Sequence, residues 1–150
     1  MPEAMLLIRL GGWSNTLPDR LERLRSFVGG GEVIKEDAAL WEAAREFSWL
    51  PQGNALLKVP LNLHKIAALD ATLGTLPRRY SSGGNVAWVG WNANISEVDS
   101  TLTAQSLSGL VILGEATSKP LIGKRTGQPF YQRIKSALDP QGKFPSFYGS

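Results

Sequence analysis

Short apolar runs that each give way to a helical pattern recur along the chain, and this alternation limits it to folds that layer helices on a sheet. The runs are "AMLLIRL" (4–10), "EVIKE" (32–36), "NALLKVPL" (54–61), "SSGGNVAWVGW" (81–91) and "GLVILGEA" (109–116). All are too short for buried helices, and glycine closes or opens most of them. In the third, Ala55, Leu57, Val59 and Leu61 alternate against Leu56, Lys58 and Pro60, the period of a strand. Pro60 has no N–H for a ladder, so it belongs at an edge or at the strand's end.

The intervening segments read as helices. One is capped near Asn15 or Thr16, has Pro18 in its first turn, carries Leu17, Leu21, Leu24 and Val28 on one face, and stops at glycines 29–31. Asp37 caps a second, which runs to about Phe47 with Leu40, Ala44 and Phe47 inward. Asn62 opens a third with Ile66, Leu69 and Leu73. Ser96 and Asp99 resemble a capping box for a fourth, which presents Ile95, Val98 and Leu102. Residues 117–128 are polar and read as an exposed loop. A last helix over 129–138 turns Phe130, Ile134 and Leu138 toward the core, until Pro140 stops it and Gly142 lets the chain turn.

The order is therefore strand then helix, repeated. A doubly wound parallel sheet and an α+β sandwich both satisfy it. A parallel fold of this kind places a glycine-rich phosphate loop after its first strand, and "GGWSN" lacks that spacing. The expectation is a ferredoxin-like α+β sandwich, its sheet mostly antiparallel, its helices packed on one face. With 150 residues and 43% hydrophobic content, the chain suits one domain, 1–150.

Several function classes fall away on composition. Sixteen Lys plus Arg against thirteen Asp plus Glu give +3, but the charges are interspersed, which argues against a nucleic-acid stripe. With no cysteine and one histidine, His64, a thiolate site, a histidine-rich metal cluster or a Ser-His-Asp triad is not expected, and the absence of cysteine fits a reducing compartment. His64 itself reads as a surface or cap residue. No run approaches the roughly twenty apolar residues that cross a bilayer, so a soluble chain is expected. The glycine pairs lack phosphate-loop spacing and read as turns. No carboxylate pair stands out, and no catalytic residue or metal ligand is assigned.

What remains is a set of cations and aromatic rings. "PRRY" (77–80) and "GKR" (123–125) put paired cations in loops, where Arg78, Arg79 and Arg125 can grip an anion; Lys58 joins them as a candidate for carboxylate or pyrophosphate contact. Five tryptophans exceed what such a core needs. Trp88 and Trp91, three apart, cannot share a face of a regular strand, so one faces outward.

The closing segment "YQRIKSALDPQGKF" resembles the last helix of FAD-linked oxidases of the vanillyl-alcohol oxidase superfamily, whose form is "(H/Y)xRLKxAFDPxGIF". Arg133, Lys135, Leu138, Asp139, Pro140, Gly142 and Phe144 fit it. The stretch from "LLIRLGGWSN" to "ALWEAAREF" is similar to the start of the C-terminal domain of those oxidases, and "LLKVPLNLHKIAAL" to their strand-proline-helix step. "GGNVAWVGW" and "LSGLVILGEA" are similar to strands of the short flavin subunits of bacterial glycolate oxidases. After Phe144 the chain reads "PSFY" where the family has "NPGR".

The resemblance implies a substrate-side cap domain that completes the pocket over FAD, with the flavin held mainly by an N-terminal domain absent from this chain. The parent would oxidise a 2-hydroxy acid such as glycolate, and the isolated domain would be inactive. On this reading Lys58, Arg78, Arg79 and Arg125 face the substrate, while Trp88, Trp91 and Phe144 stand beside the cofactor. The implied partners are the FAD-binding domain, a second flavin subunit and an iron-sulfur subunit. The implied location is the cytoplasm, with peripheral attachment to the inner membrane through that complex. Two other roles are a non-catalytic assembly module and a stand-alone ligand-binding domain.

Overall fold

The computed structural model describes residues 5–114 and 120–146. The chain divides into two compact units, Met1–Trp41 and Glu42–Ser150.

In the first unit, α1 (Leu17–Val28) has proline in its first turn and ends on Gly29, whose left-handed φ of 84° turns the chain so that the next N–H, that of Gly30, also reaches the Arg25 carbonyl, at 2.8 Å. Leu17, Leu21 and Leu24 are half-buried, while Phe27 is 88% exposed. Helix α2 (Ala38–Arg45) follows Asp37, and the division between the units falls within it. Arg9 pairs with Asp37 at 3.0 Å and lies over the Trp41 ring at 5.7 Å.

Residues 5–10 and 32–36 are not strands. Met5, Leu6, Ile8, Val33 and Ile34 are exposed, and among the described residues no strand pairs with these segments. An apolar run becomes a strand only where a neighbour accepts its hydrogen bonds. Ala4, which the first expected strand includes, lies outside the described residues.

The second unit is α+β. Its elements are β1 (Ala55–Pro60), α3 (Leu63–Leu73), β2 (Arg78–Ser81), β3 (Val86–Trp91), α4 (Ile95–Ala104), β4 (Ser108–Leu113), β5 (Leu121–Gly123) and α5 (Gln128–Leu138). The five strands form one antiparallel sheet in the order β2-β3-β1-β4-β5. Pro60 ends β1 opposite Val86, as its missing N–H requires. A register shift between Leu56 and Leu57 sets them against Leu113 and Val111, leaving Ile112 as the extra residue of a bulge.

One face of the sheet carries the core. Leu57, Val59, Ala87, Val89 and Trp91 meet Leu69 and Leu73 of α3 and Val98 and Leu102 of α4, with Ile122 closing the side at β5. The two helices are tied to each other through Gln105, whose side-chain amide donates to the Thr72 hydroxyl at 2.5 Å and whose backbone carbonyl accepts from Lys65 Nζ at 3.1 Å.

Other expectations need correction. The run 81–91 is not one strand: Gly83, at φ 64°, turns the chain within a 3-10 turn between β2 and β3. Arg78, Arg79 and Tyr80 of "PRRY" are accordingly strand in place of loop. The loop expected over 117–128 contains β5, because Ile122 has a core position to fill and residues 108–110 offer a free edge; residues 115–119 lie outside the described residues, as does the end of the strand expected over 109–116. Asn94, not Ser96, caps α4 by accepting from Ser96 N at 2.8 Å. Finally, Phe130, Ile134 and Leu138 of α5 are 66%, 42% and 79% exposed, away from any core.

Candidate functional site

Strand pairing places Lys58 directly opposite Trp88, and Trp88 directly opposite Arg79. Cross-strand partners point to the same side of a sheet, so the three form one row over β1, β3 and β2. That side is opposite the face carrying Leu57, Val59, Ala87 and Val89, since side chains alternate. The lysine ammonium lies over the Trp88 ring at 5.5 Å, and the Arg79 guanidinium lies over Trp49 at 5.3 Å. The indole N–H of Trp88 donates to Ser81 Oγ at 3.0 Å, which fixes the ring's orientation.

Phe47 completes the cluster. Its ring centroid is 4.9 Å from that of Trp88 and 6.4 Å from that of Trp49. It is delivered by a Schellman turn at the end of α2, in which Ser48 N–H bonds the Ala43 carbonyl and Phe47 N–H that of Ala44. The residue at the turn has φ 54°, a conformation usually left to glycine. The aromatic contacts hold a bulky side chain there at a backbone cost of about 1 kcal/mol or more.

Lys58 and Arg79 form no salt bridge among the described residues. The row is therefore a pair of uncompensated cations on a rigid sheet, walled by indole and phenyl rings. Chemically it can hold an anion by charge-assisted hydrogen bonds.

The other candidate residues stand elsewhere. Arg78 alternates to the helix side, where its guanidinium pairs with Asp70 and also donates to the carbonyls of Gly74 and Leu76, both at 2.9 Å. Arg125 binds Asp99 at 2.8 Å, and the same carboxylate accepts the Gly123 N–H at 2.8 Å, pinning β5 to α4. Each edge of the sheet thus has an arginine neutralised by a helix aspartate. Trp91 belongs to the core at 9% exposure, its N–H on the Asn94 carbonyl. His64 is an exposed residue of α3.

Phe144 sits in a tail folded back on the end of α5. Asp139 accepts from Lys135 Nζ at 2.5 Å and from the N–H groups of Lys143 and Phe144 at 2.7 and 3.0 Å. The Lys135 hydrogen bond, then that of Phe144, holds the Asp139 carboxyl below its ordinary value. The Phe144 ring is 70% exposed. Open grooves of about 500 and 700 Å³ run along α5 and do not involve the row.

Asp70 also accepts the Tyr80 hydroxyl at 2.8 Å. Burial, then this hydrogen bond, pushes the Tyr80 pKa from 10.0 up to about 12. The native chain keeps this proton where the unfolded chain has lost it, so stability present below pH 10.0 is lost as pH rises from there toward about 12. Tyr80→Phe is expected to flatten that alkaline decline in chemical denaturation followed against pH. An unchanged decline would assign it to other groups.

Sequence reasoning reached Lys58, Arg79 and Trp88 but missed Phe47, Trp49 and Ser81. The surplus of tryptophan was the available signal for Trp49. Among the described residues no helix is long and apolar enough to cross a membrane. No family model matches the chain, and neither a curated protein nor a solved structure is significantly similar to it.

Proposed function

We propose that the chain is a single substrate-side domain, 1–150, of a flavin-dependent 2-hydroxy-acid oxidase or dehydrogenase, in which the row of Arg79, Trp88 and Lys58 faces the substrate and the flavin. The observation that carries this is the pairing of two uncompensated cations with an oriented indole on the sheet face opposite the α3/α4 core. The fit of 131–144 to the closing segment of FAD-linked oxidases supports it, and so does the connectivity β-α-β-β-α-β with strand order β2-β3-β1-β4, which suits a ferredoxin-like sandwich with β5 added at one edge.

FAD fits this arrangement only in part. Trp88 can wall the ring and the cations can meet a substrate carboxylate, but the glycine turns lack the spacing that cradles a pyrophosphate, so a separate domain holds most of the cofactor. When bound, the flavin supplies the redox chemistry by accepting the hydride. The residues of this chain orient the acid and shield it from water. The exposed ring of Phe144 and the apolar stripe of α5, Phe130, Ile134 and Leu138, favour a second reading as an assembly module for the other subunits of such a complex.

The test is to capture the tagged chain from cells that express it and to examine what comes with it. The expected complex is yellow with bound flavin, and glycolate bleaches its flavin absorption. A colourless capture would sink the oxidase reading; a flavin complex that glycolate and other 2-hydroxy acids leave unbleached would favour assembly alone.

A further inference from the structure

We infer that the row of Arg79, Trp88 and Lys58 takes a ligand with two anionic groups, a 2-hydroxy dicarboxylate in preference to a monocarboxylate. The inference rests on the reading that this sheet face is the substrate side. Its basis is the register: both cations are paired with the same residue, Trp88, from its two sides. Adjacent strands lie about 4.8 Å apart, so the backbones of Lys58 and Arg79 are separated by roughly 10 Å. Ladder hydrogen bonds on both sides of β3 fix that backbone spacing.

Among the described residues neither of these two charges has a salt-bridge partner. Arg78, next in the chain, points to the other face and is bound to Asp70. Glu46, one residue before Phe47, is paired with Arg45 at 3.0 Å. What lies against the two cations is aromatic: Trp88 under Lys58 and Trp49 under Arg79. These ring contacts favour the extended placement of both stems by cation–π attraction. A monoanion satisfies one cation and leaves the other facing a ring and solvent. A second carboxylate on the same molecule gains the second charge-assisted contact without a second loss of translational freedom.

The experiment uses the full chain, with tryptophan fluorescence and thermal shift as independent readouts. The probes are malate, a 2-hydroxy dicarboxylate, and lactate, its monocarboxylate counterpart. At low salt malate is expected to bind at least about tenfold tighter than lactate, a difference of one good charge-assisted contact. Lys58→Ala and Arg79→Ala should each bring malate down to the affinity of lactate, while Arg125→Ala, whose cation serves Asp99, should leave it unchanged.

Equal affinities for malate and lactate, both weakened by the two substitutions, would overturn the two-anion inference and leave the substrate-face reading standing. Tighter malate binding that neither substitution alters would place the site elsewhere and overturn it as well. No saturable response to either probe, from a chain that melts cooperatively, would overturn both the inference and the assignment of this face to substrate.

Discussion

Gly123→Ala is expected to destabilise the protein by about 3 kcal/mol, enough to lower its melting temperature by roughly 10 °C. Two costs act together. Gly123 has φ +76°, which a residue with a Cβ adopts only under strain. Its Cβ would also stand 2.3 Å from the Leu107 carbonyl oxygen and 2.8 Å from Leu102 Cβ. The first of those is backbone and cannot swing aside. It is also in use, because the Leu107 carbonyl accepts the Lys124 N–H at 2.7 Å. Relief of the clash must therefore break this bond or lift β5 off the sheet, taking Ile122 out of the core. Gly127→Ala is the control, since its φ is likewise positive at +80° but its Cβ meets nothing within 4 Å. It should cost only the backbone strain, about 1 kcal/mol. Equal melting temperatures for the two variants would show that the contact at Leu107 is not the cause.

Leu57→Ala is expected to cost about 3–4 kcal/mol, a large part of the stability of an ordinary domain. Leu57 has no exposed surface and lies on β1, the central strand, between Val89 of β3 and Val111 of β4. Pairing on both sides prevents β1 from moving inward to fill the space, so a cavity adds to the lost transfer free energy. Leu138→Ala removes the same atoms from a residue that is 79% exposed, and should stay within about 0.5 kcal/mol of the parent. Urea denaturation of both variants separates a core position from an uncovered one. A comparable loss at Leu138 would mean that α5 is buried in solution.

That contrast marks the limit of what periodicity conveys. The spacing of Phe130, Ile134 and Leu138 identifies an apolar helix stripe, but it does not say what covers the stripe. The same holds for 4–10 and 32–36, whose apolar content was legible and whose lack of a pairing neighbour was not. Where an element could be checked against its own constraints the reading was close: Pro60 fixes the end of β1, Asn62 the start of α3, and Pro140 the stop of α5. β5 was invisible because three residues ending in glycine carry no period of their own; the free edge of β4 makes them a strand.

Parity decided the candidate site. The three-residue spacing of Trp88 and Trp91 set them on opposite faces, as found. The same rule separates Arg78 from Arg79, but it applies only once 78–81 is known to be a strand. Two adjacent arginines suggested a solvated loop, and an edge strand accepts them equally well. The aspartates that neutralise Arg78 and Arg125 lie 8 and 26 residues away in sequence, separations that no local motif discloses. Phe47 and Trp49 reach the row through a helix terminus whose left-handed residue is a phenylalanine, which the usual glycine signal cannot reveal.

The short outer strands have a consequence for the behaviour of the chain in a crowded solution. β2 is four residues long, begins with two arginines, and has one face flanked by the Asp70 contacts; β5 is three residues long and ends on a positive-φ glycine. A sheet grows by adding strands at its margins, and brief, charged or sharply turned margins make poor templates. The apolar central strands are thus kept from the strand-by-strand stacking that leads to fibres, and Arg79 guards one margin with the same charge that it offers to an anion.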